Sequence, residues 1–488
     1  MSPKAPETIF NASIKLPEWL KADLFDNVLK DSFKDFKAIK EFKAVPGTNP
    51  GDNYATVVLQ IKIVVELKDN TTESTTFMLK IPQQTKAYQE AFGKNTFSIF
   101  DMEREMFTIY VQEFKQLYRN VGLDIEFGAK CYKLDIPYEH VLLEDLKRKG
   151  FQPANRQVGL DEEHTLDVLT KLAQWHAASA VRVATMGPYP KHVSEGIFNE
   201  DGKDFIRKMS DDRLKYLLKS FATIEGHEAY YEDLINMEGH ITENVLDVAA
   251  VDPKEFNVLN HGDFWLPNLM FLYDPSSGKL LDSYLVDYQM CKYGSVAIDL
   301  LYFLISSPQL ELKVSKFDYF VKQYYDQLIK HLKILNYTKA LPSLIDIHKT
   351  LLKAGIWGFL AACGVMAGCL LEPTEIARFD NLYAETPEGD QLRTLLFCSK
   401  VYKEHIKVVL PWLQNRGALQ CRIKTHNRFD CGNEITINDE IKITIKSLKS
   451  FKLMPRFLYI YNPVSCEKLN RCAMEGTLPT TEFSVFIF

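Results

Sequence analysis

Two aspartates and an asparagine with side chains suited to phosphoryl chemistry lie within residues 259–289. Asp263 comes five positions before Asn268, and Asp287 ends the second of two apolar runs that follow. A carboxylate beside a hydroxyl can orient it and accept its proton, and carboxylate and amide oxygens bind Mg²⁺. Phosphoryl transfer requires little more, because its loose transition state needs mainly positioning and charge neutralisation. The stretch therefore predicts a phosphoryl-transfer site.

The spacing of these residues follows a pattern known from protein kinases, in which H-R-D-x-x-x-x-N is followed later by D-F-G. The tripeptide His-Gly-Asp at 261–263 and Asn268 keep that spacing, with Gly262 in place of the arginine. The tripeptide Asp-Tyr-Gln at 287–289 lies where D-F-G is expected. Short tripeptides recur by chance, so a buried hairpin with polar loop ends and no chemistry is the alternative.

The segment between Asn268 and Asp287 determines whether their side chains can meet. Residues 269–273 and 280–286 are apolar-rich, and Asp-Pro-Ser-Ser-Gly at 274–278 is typical of a turn. This pattern predicts a β-hairpin, which returns the chain to its starting point. We therefore expect Asp287 to lie near Asn268.

Elements that could bind phosphates are expected earlier in the chain. A glycine-containing turn at 45–56 precedes a β-branched strand at 57–67, and Lys80 lies near the end of the next strand, 75–81. Such a turn can present backbone N–H groups to phosphates, and a strand lysine can hold them. An ordinary hairpin turn and a solvent-facing lysine are the alternatives.

A helix predicted over 97–118 carries two candidate partners for Lys80. Its apolar residues, Phe100 and Phe107 among them, mark the buried side. Glu103 is three and four positions from those two and lies on their side, whereas Glu105 points elsewhere. We therefore expect Glu103 to hold Lys80 in place.

The next elements are expected to connect two lobes and to begin the second. An apolar strand at 141–146 breaks into charged residues, and its backbone groups could hydrogen-bond an adenine edge; an ordinary strand end is the alternative. Asp161 is expected to cap a helix that continues to about residue 181. His176 lies on the apolar face of that helix, so we expect a core histidine, bonded to a backbone group, with no role in the chemistry.

Length, composition and charge limit the class of protein. The 488 residues, 46% of them hydrophobic, suit two lobes with an appendage. The net charge of −6 argues against a nucleic-acid partner or an anionic membrane surface. No apolar run is suited to a signal peptide or a membrane span, the nearest being a predicted buried helix at 355–371. Nine cysteines without a C-x-x-C pair are expected to be free thiols, and the protein is expected to be cytoplasmic.

Residues along most of the chain together resemble one family. In chain order they are Gly51-Asp52-Asn53-Tyr54, Lys80, Phe100 with Glu103, Leu143-Glu144-Asp145-Leu146, Leu172-Ala173 with His176-Ala177, His261-Gly262-Asp263, Asn268, Asp287-Tyr288-Gln289 and Asp299-Leu300. Over residues 15–418 the sequence is similar to the ecdysteroid kinase-like family, also called CHK kinase-like. That family resembles choline kinases and aminoglycoside phosphotransferases, which share the two-lobed protein kinase fold. Phe107 departs from the pattern, because the family often has tyrosine there; the change removes a hydroxyl without touching the proposed chemistry.

The resemblance implies a role for each residue of the predicted site. Asp263 would be the catalytic base, and Asn268 and Asp287 would bind Mg²⁺. Lys80, paired with Glu103, would bind the α- and β-phosphates of ATP.

Further residues are implied to contact the nucleotide or to support the loop. The additional nucleotide contacts are Asn53, Glu144 and Leu146. Asp299 and His261 would brace the catalytic loop, and a proton-transfer role for His261 is the less favoured alternative.

The implied fold is α+β, with a small antiparallel-sheet N-terminal lobe and a larger, mainly helical C-terminal lobe. We expect the N-terminal lobe at 1–143, the connector at 144–150 and the catalytic lobe at 151–418. Residues 419–488 hold four of the nine cysteines and lie beyond the resemblance. We expect them to be a weakly packed extension or a sequence read past the true end of the gene.

Aromatic residues of the predicted C-terminal lobe are candidates for an apolar acceptor pocket. They are Phe264, Trp265, Trp357, Phe359 and Tyr383. Aromatic residues at helical spacing more often belong to the core, which is the alternative.

Together these features predict an ATP- and Mg²⁺-dependent phosphotransferase that acts on a hydroxyl of a small molecule. The resemblance implies an ecdysteroid or a related alcohol as the first candidate acceptor. A catalytically inactive pseudokinase that binds a ligand or nucleotide is the alternative, although every expected catalytic residue type is present. A protein kinase is disfavoured because no D-F-G to A-P-E activation segment separates Asp287 from Asp299.

Overall fold

The computed structural model of the chain describes residues 16–48, 56–83, 85, 88 and 98–420. Within these ranges an antiparallel sheet comes first and a mostly helical region follows. The predicted two-lobed α+β fold is therefore confirmed. The predictions for Asn53 and for the extension beyond residue 420 concern residues outside the described ranges.

The N-terminal lobe is built on five antiparallel strands in the order β1-β2-β3-β5-β4. The strands are β1 Phe36–Pro46, β2 Thr56–Leu67, β3 Thr72–Pro82, β4 Cys131–Tyr132 and β5 Val141–Glu144. Alternate residues of β2, Leu59, Ile61 and Ile63, are buried with Phe25 and Leu29 of the leading segment. That segment consists of a 3₁₀ turn, Ala22–Phe25, and helix α1, Asp26–Ser32. The two-residue period of β2 explains why one face of the sheet forms this core.

A long helical segment crosses from the sheet to the second lobe. It consists of α2, Ile99–Glu105, a π-helical turn, Met106–Tyr110, and α3, Val111–Arg119. Ser98 caps it, since its Oγ accepts a hydrogen bond from the Asp101 N–H at 3.1 Å. The sequence predicts one regular helix over 97–118. The structure differs from that prediction by the π turn, which is a local widening of the helix. The widening leaves the apolar pattern in place, so the sequence pattern does not reveal it.

The connector between the lobes is attached to the sheet by one buried carboxylate. From β5 the chain passes through a 3₁₀ turn, Leu146–Lys149, into strand β6, Phe151–Gln152. The Oδ2 atom of Asp145 accepts hydrogen bonds from Gln60 Nε2 at 2.8 Å and from Thr76 Oγ1 at 2.7 Å. The entry into the second lobe is therefore fixed to β2 and β3.

The C-terminal lobe packs helices around two small sheets. Its helices are α4 Glu162–Met186, α5 Lys191–Glu195, α6 Lys203–Met209, α7 Asp211–Phe221, α8 Glu228–Asn236, α9 Ile241–Ala249, α10 Ala297–Ser306, α11 Leu310–Lys313, α12 Phe317–Ile334, α13 Leu344–Lys353, α14 Gly355–Cys363, α15 Val365–Leu370, α16 Phe379–Tyr383, α17 Pro387–Cys398 and α18 Lys400–Gln414. Helices α4 and α12 pack along each other. Asp161 caps α4 as predicted, because its Oδ1 accepts a hydrogen bond from the His164 N–H at 3.0 Å.

The strands of this lobe include the predicted hairpin. They are β7 Asn257–Asn260, β8 Leu269–Tyr273, β9 Leu280–Leu285 and β10 Lys292–Ser295. One sheet has the order β6-β8-β9 and the other pairs β10 with β7. The pairing of β8 with β9 is antiparallel, which confirms the hairpin.

The apolar run at 355–371 forms two largely buried helices, α14 and α15, broken at Gly364. No single helix within the described ranges is long and apolar enough to cross a membrane. The pair formed by α13 and the run Gly355–Leu370 is long and apolar enough when taken together, but it is bent by 59°.

Leu419, which the sequence assigns to the extension, is buried in the core of the lobe. The core therefore continues at least one residue beyond the predicted boundary at 418.

Candidate active site

The loop that carries Asp263 follows β7 and makes a turn that only glycine accommodates. Gly262 has a φ of +79°, and a Cβ placed there would lie 2.0 Å from the backbone oxygen of Met290. A side chain at this position would therefore meet both an unfavourable backbone conformation and a backbone clash. This explains glycine at the position where protein kinases have arginine.

Asp299, on α10, holds the backbone of the same loop. Its fully buried carboxylate accepts hydrogen bonds from the His261 N–H at 2.7 Å and from the Gly262 N–H at 2.9 Å. Two charge-assisted bonds to consecutive amides fix the direction in which the loop leaves β7. The predicted supporting position of Asp299 is the position that the structure gives it.

His176 supports that carboxylate from behind. Its Nε2 lies 3.3 Å from Asp299 Oδ2 and its Nδ1 lies 2.7 Å from the Tyr324 hydroxyl. Burial lowers the pKa of the His176 imidazole, so the neutral ring donates from Nε2 and accepts at Nδ1. The prediction that a backbone group satisfies this histidine is wrong, because the partners are side chains of distant helices. His176 belongs to the network that braces the loop.

His261 is fully buried and bonds the end of the hairpin. Its Nε2 donates to the Val286 carbonyl at 2.9 Å, and its Nδ1 has no hydrogen-bond partner within the described ranges. Burial lowers the pKa of this imidazole as well. The ring therefore ties the loop to the end of the hairpin, as expected of a supporting residue, and does not face an acceptor.

The side chain of Asp263 is half-buried and has a donor on each carboxylate oxygen. Tyr302 donates its hydroxyl proton to Oδ1 at 2.9 Å, and Asn268 Nδ2 donates to Oδ2 at 2.9 Å. Desolvation raises the pKa of Asp263, and these hydrogen bonds oppose the rise because they stabilise the ionised form. Both oxygens are therefore held in fixed positions.

Asn268 and Asp287 come together as the hairpin predicts. The Val286 N–H donates to the Asn268 carbonyl at 3.0 Å, so the residue before Asp287 is hydrogen-bonded to Asn268. The side-chain nitrogen of Asn268 donates a hydrogen bond to Asp263, so the side-chain oxygen of Asn268 points away from that carboxylate. Asp287 adopts the left-handed conformation, with φ of +66° and ψ of +55°, a rare choice for a residue other than glycine. Such local strain is commonly found at functional sites.

Lys80 joins the two lobes at this point. Its ammonium lies 2.7 Å from Glu103 Oε1, with both side chains more than nine-tenths buried, and it also contacts Asp287 Oδ1. Glu105 instead pairs with His192, 2.7 Å away. The choice of Glu103 over Glu105 therefore agrees with the geometry.

Aromatic packing holds the Asp-Tyr-Gln backbone. The Tyr288 ring meets the Phe107 ring edge-on at 5.0 Å, stacks on Trp175 at 5.0 Å, and donates its hydroxyl proton to the Phe127 carbonyl at 2.9 Å. The residue that departs from the family pattern, Phe107, thus contacts the neighbour of Asp287 through its ring.

The predicted adenine contacts on the connector are only partly available. The Glu144 N–H already donates to the Lys130 carbonyl at 2.8 Å, and its carboxylate pairs with Lys149 at 2.9 Å. Among the described residues the Leu146 N–H has no hydrogen-bond partner. An adenine edge would therefore meet the Leu146 N–H rather than that of Glu144.

The metal-binding capacity of the site rests on Asn268 and Asp287. Within the described ranges no group of three or more His, Cys, Asp or Glu side chains is arranged to hold a metal ion. Mg²⁺ is typically held by one or two protein oxygens together with substrate phosphates and water. An oriented amide oxygen and a carboxylate fit that pattern, so the residues present suit Mg²⁺ carried with a nucleotide.

Most of the candidate pocket aromatics belong to the core. Phe264, Trp357 and Phe359 are at most 2% exposed, whereas Trp265 is half-buried and its side chain lies beside Asp263. The side chain of Tyr383 lies outside what the structure describes. Of this set, Trp265 remains the candidate for an acceptor contact.

Comparison with models of known families identifies the family of the chain. The model of the ecdysteroid kinase-like family matches residues 50–337, which is more than half of the chain and includes every predicted site residue. No curated protein matches the chain.

Proposed function

The chain belongs to the ecdysteroid kinase-like family, and from this premise we propose that it transfers the γ-phosphoryl group of ATP to a hydroxyl of a small molecule. Membership of the family implies a kinase-like phosphotransferase, often acting on small molecules. The observation that carries the proposal is the meeting of Lys80, from the N-terminal sheet, with Asp287, from the end of the hairpin. A phosphate-binding cation and a metal ligand are thereby brought to one point between the lobes.

In this proposal Asp263 acts on the acceptor. A hydroxyl bound beside its carboxylate would be oriented for attack and would give up its proton to one of the two oxygens. Burial favours the protonated form of this carboxylate, which makes it a stronger base than an exposed aspartate. The hydrogen bonds from Tyr302 and Asn268 keep its plane fixed while the acceptor approaches.

The remaining residues bind the donor. Lys80 would hold the α- and β-phosphates, with Glu103 keeping the ammonium in place. Asn268 and Asp287 would hold Mg²⁺, which when bound neutralises charge on the transferred group. The Leu146 N–H, which has no partner among the described residues, would donate a hydrogen bond to the adenine edge.

The first acceptor class is an ecdysteroid or a related alcohol, with other sterols, choline-like alcohols and hydroxylated xenobiotics as further candidates. The test is mass-spectrometric detection of phosphate addition to a panel of these compounds with Mg²⁺-ATP. A mass increase of one phosphate on one compound class supports the proposal. Phosphate on protein substrates, with no panel compound modified, would contradict it.

One observation favours a second candidate, a pseudokinase. The direct contact of Lys80 with Asp287 engages a metal ligand, and a protein that kept this contact would bind a nucleotide without transferring phosphate. Measurement of ATP affinity with and without Mg²⁺ separates the two. Tight ATP binding that is independent of Mg²⁺, with no transfer, is the pseudokinase result.

A further inference from the structure

Helix α10 presents polar groups to the catalytic loop along one side of an otherwise apolar sequence. Asp299 bonds the amides of His261 and Gly262, and Tyr302, one turn later, bonds the Asp263 carboxylate. Just beyond the helix, the Ser307 Oγ accepts from the Leu266 N–H at 2.9 Å. Asp299 and Tyr302 are three positions apart and lie on one face of the helix, so α10 contacts the loop before and at Asp263. Ser307 adds a contact after Asp263.

Tyr302 is suited to be a permanent donor. Desolvation, reinforced by the neighbouring Asp263 charge, raises the pKa of its hydroxyl well above the usual range. The hydroxyl is therefore protonated at neutral pH, which already lies well below the ordinary tyrosine pKa of about 10. Since a carboxylate can only accept, the hydrogen bond at 2.9 Å runs from Tyr302 to Asp263 Oδ1.

The effect of this bond is on the orientation of the carboxylate. A lone aspartate side chain can rotate about its terminal bond, which is a broad torsion. Asn268, directly before the hairpin, donates to Oδ2 of Asp263. Tyr302, on α10, donates to Oδ1. With one donor removed, the carboxylate is free to turn about the other. Misplacement of a reacting group by a fraction of an ångström is costly in rate.

We propose that Tyr302 is a positioning residue for phosphoryl transfer: its hydroxyl fixes the Asp263 carboxylate in the orientation that receives the acceptor proton. The inference rests on the proposed function, because it assigns Tyr302 a task in that reaction. Tyr302 acts through Asp263 and is not itself a catalytic residue. The sequence offers one signal for it, a tyrosine three positions after Asp299 in an apolar helix.

The kinetic test compares Tyr302→Phe with the wild type on the acceptor found in the panel, or on Mg²⁺-ATP hydrolysis by water. We expect kcat to fall roughly 10- to 100-fold, with KM for ATP and acceptor within about twofold, since a hydrogen bond to a charged group is lost without a binding contact.

The matched control is Tyr402→Phe. Tyr402 is also buried, and its hydroxyl bonds the Ala362 carbonyl at 3.3 Å in a part of the lobe that does not touch the loop. A merely structural loss of a buried hydroxyl would lower the melting temperature in both variants and leave kcat unchanged in both. That outcome, or a rise in acceptor KM with unchanged kcat in Tyr302→Phe, would overturn the proposal.

A second measurement does not depend on turnover. Melting temperatures of Tyr302→Phe, Asp263→Ala and the double variant form a cycle that reports the coupling of the two side chains. We expect the shift of the double variant to differ from the sum of the single shifts, and additive shifts would overturn the inference. If the wild type binds Mg²⁺-ATP but transfers nothing, the proposed function fails, while the cycle still decides whether Tyr302 holds Asp263.

Discussion

Glu103 and Glu105, two positions apart on α2, bind different partners in different lobes. Glu103 Oε1 lies 2.7 Å from the ammonium of Lys80, and Glu105 Oε2 lies 2.7 Å from the ring of His192. Residues two positions apart on a helix point about 200° apart, so one carboxylate faces Lys80 of the sheet and the other faces His192 of the second lobe. This pair provides a matched comparison for the task of the Lys80 ion pair.

Glu103→Gln should weaken the use of ATP, because Lys80 would lose the charged partner that holds it. We expect kcat/KM for ATP to fall roughly 10- to 100-fold, in line with the loss of a charge-assisted contact that positions a binding group. Steady-state kinetics with varied Mg²⁺-ATP measure this. Glu105→Gln is the control and should change kcat/KM less than about threefold. Equal losses in the two variants would remove the Lys80–Glu103 pair from the mechanism.

Gly262→Ala should abolish turnover and destabilise the protein. The added Cβ would lie 2.0 Å from the Met290 carbonyl oxygen, so the loop that carries Asp263 must move. Gly278→Ala is the control, since Gly278 also has a positive φ, +69°, but a Cβ there meets nothing within 4 Å. Thermal unfolding should show a loss of about 1 kcal/mol for the control and clearly more for Gly262→Ala. Similar losses would show that the backbone contact with Met290 is not restrictive.

Asp263→Asn should stabilise the protein at neutral pH. Burial raises the pKa of Asp263 above its ordinary 3.8, so the folded state binds this proton more tightly than the unfolded state. The free energy of unfolding therefore falls as pH rises from the unfolded pKa through the folded pKa, and stays lower above it. Asparagine carries no such cost. Melting temperatures at several pH values should show a gain for the variant at pH 7.5 that shrinks below pH 4; a gain that does not change with pH would contradict the account.

Lys292→Met should reveal a pH dependence unrelated to catalysis. The fully buried ammonium of Lys292 donates to the Ala249 carbonyl at 2.6 Å and to the Tyr293 carbonyl at 2.9 Å, and burial lowers its pKa to about 7. Between that value and the ordinary 10.5, the unfolded chain holds a proton that the folded chain does not, so stability rises with pH. Melting temperatures should show the wild type gaining on the variant from pH 7 to pH 10, and a constant difference would contradict this.

The sequence predicts the parts of the site whose signals are local. The hairpin at Leu269–Tyr273 and Leu280–Leu285 follows from two apolar runs around a turn, and Glu103 follows from the face it shares with Phe100. The partners of His176 could not be predicted, because Asp299 and Tyr324 reach it from other helices. A backbone group is the more common partner of a buried histidine, but tertiary packing provides two side chains to His176.

Tyr302 and the π turn show a different limit. A tyrosine in an apolar helix is ordinarily a core residue, and only its register with Asp299 distinguishes Tyr302. The π turn at Met106–Tyr110 leaves the apolar pattern of the segment intact, so periodicity does not detect it. Both features depend on how elements meet, which the order of residues alone does not specify.

The most direct test of the central claim is the rate of phosphate transfer by Asp263→Ala at saturating Mg²⁺-ATP, measured by mass spectrometry on the panel compound that the wild type phosphorylates. Calorimetric titration with Mg²⁺-ATP on the same sample shows whether the nucleotide site is intact. The account predicts a fall in kcat of about 10²-fold or more, the range of general-base catalysis, with ATP affinity largely unchanged. Near-wild-type transfer by the variant would contradict it and remove Asp263 from the reaction.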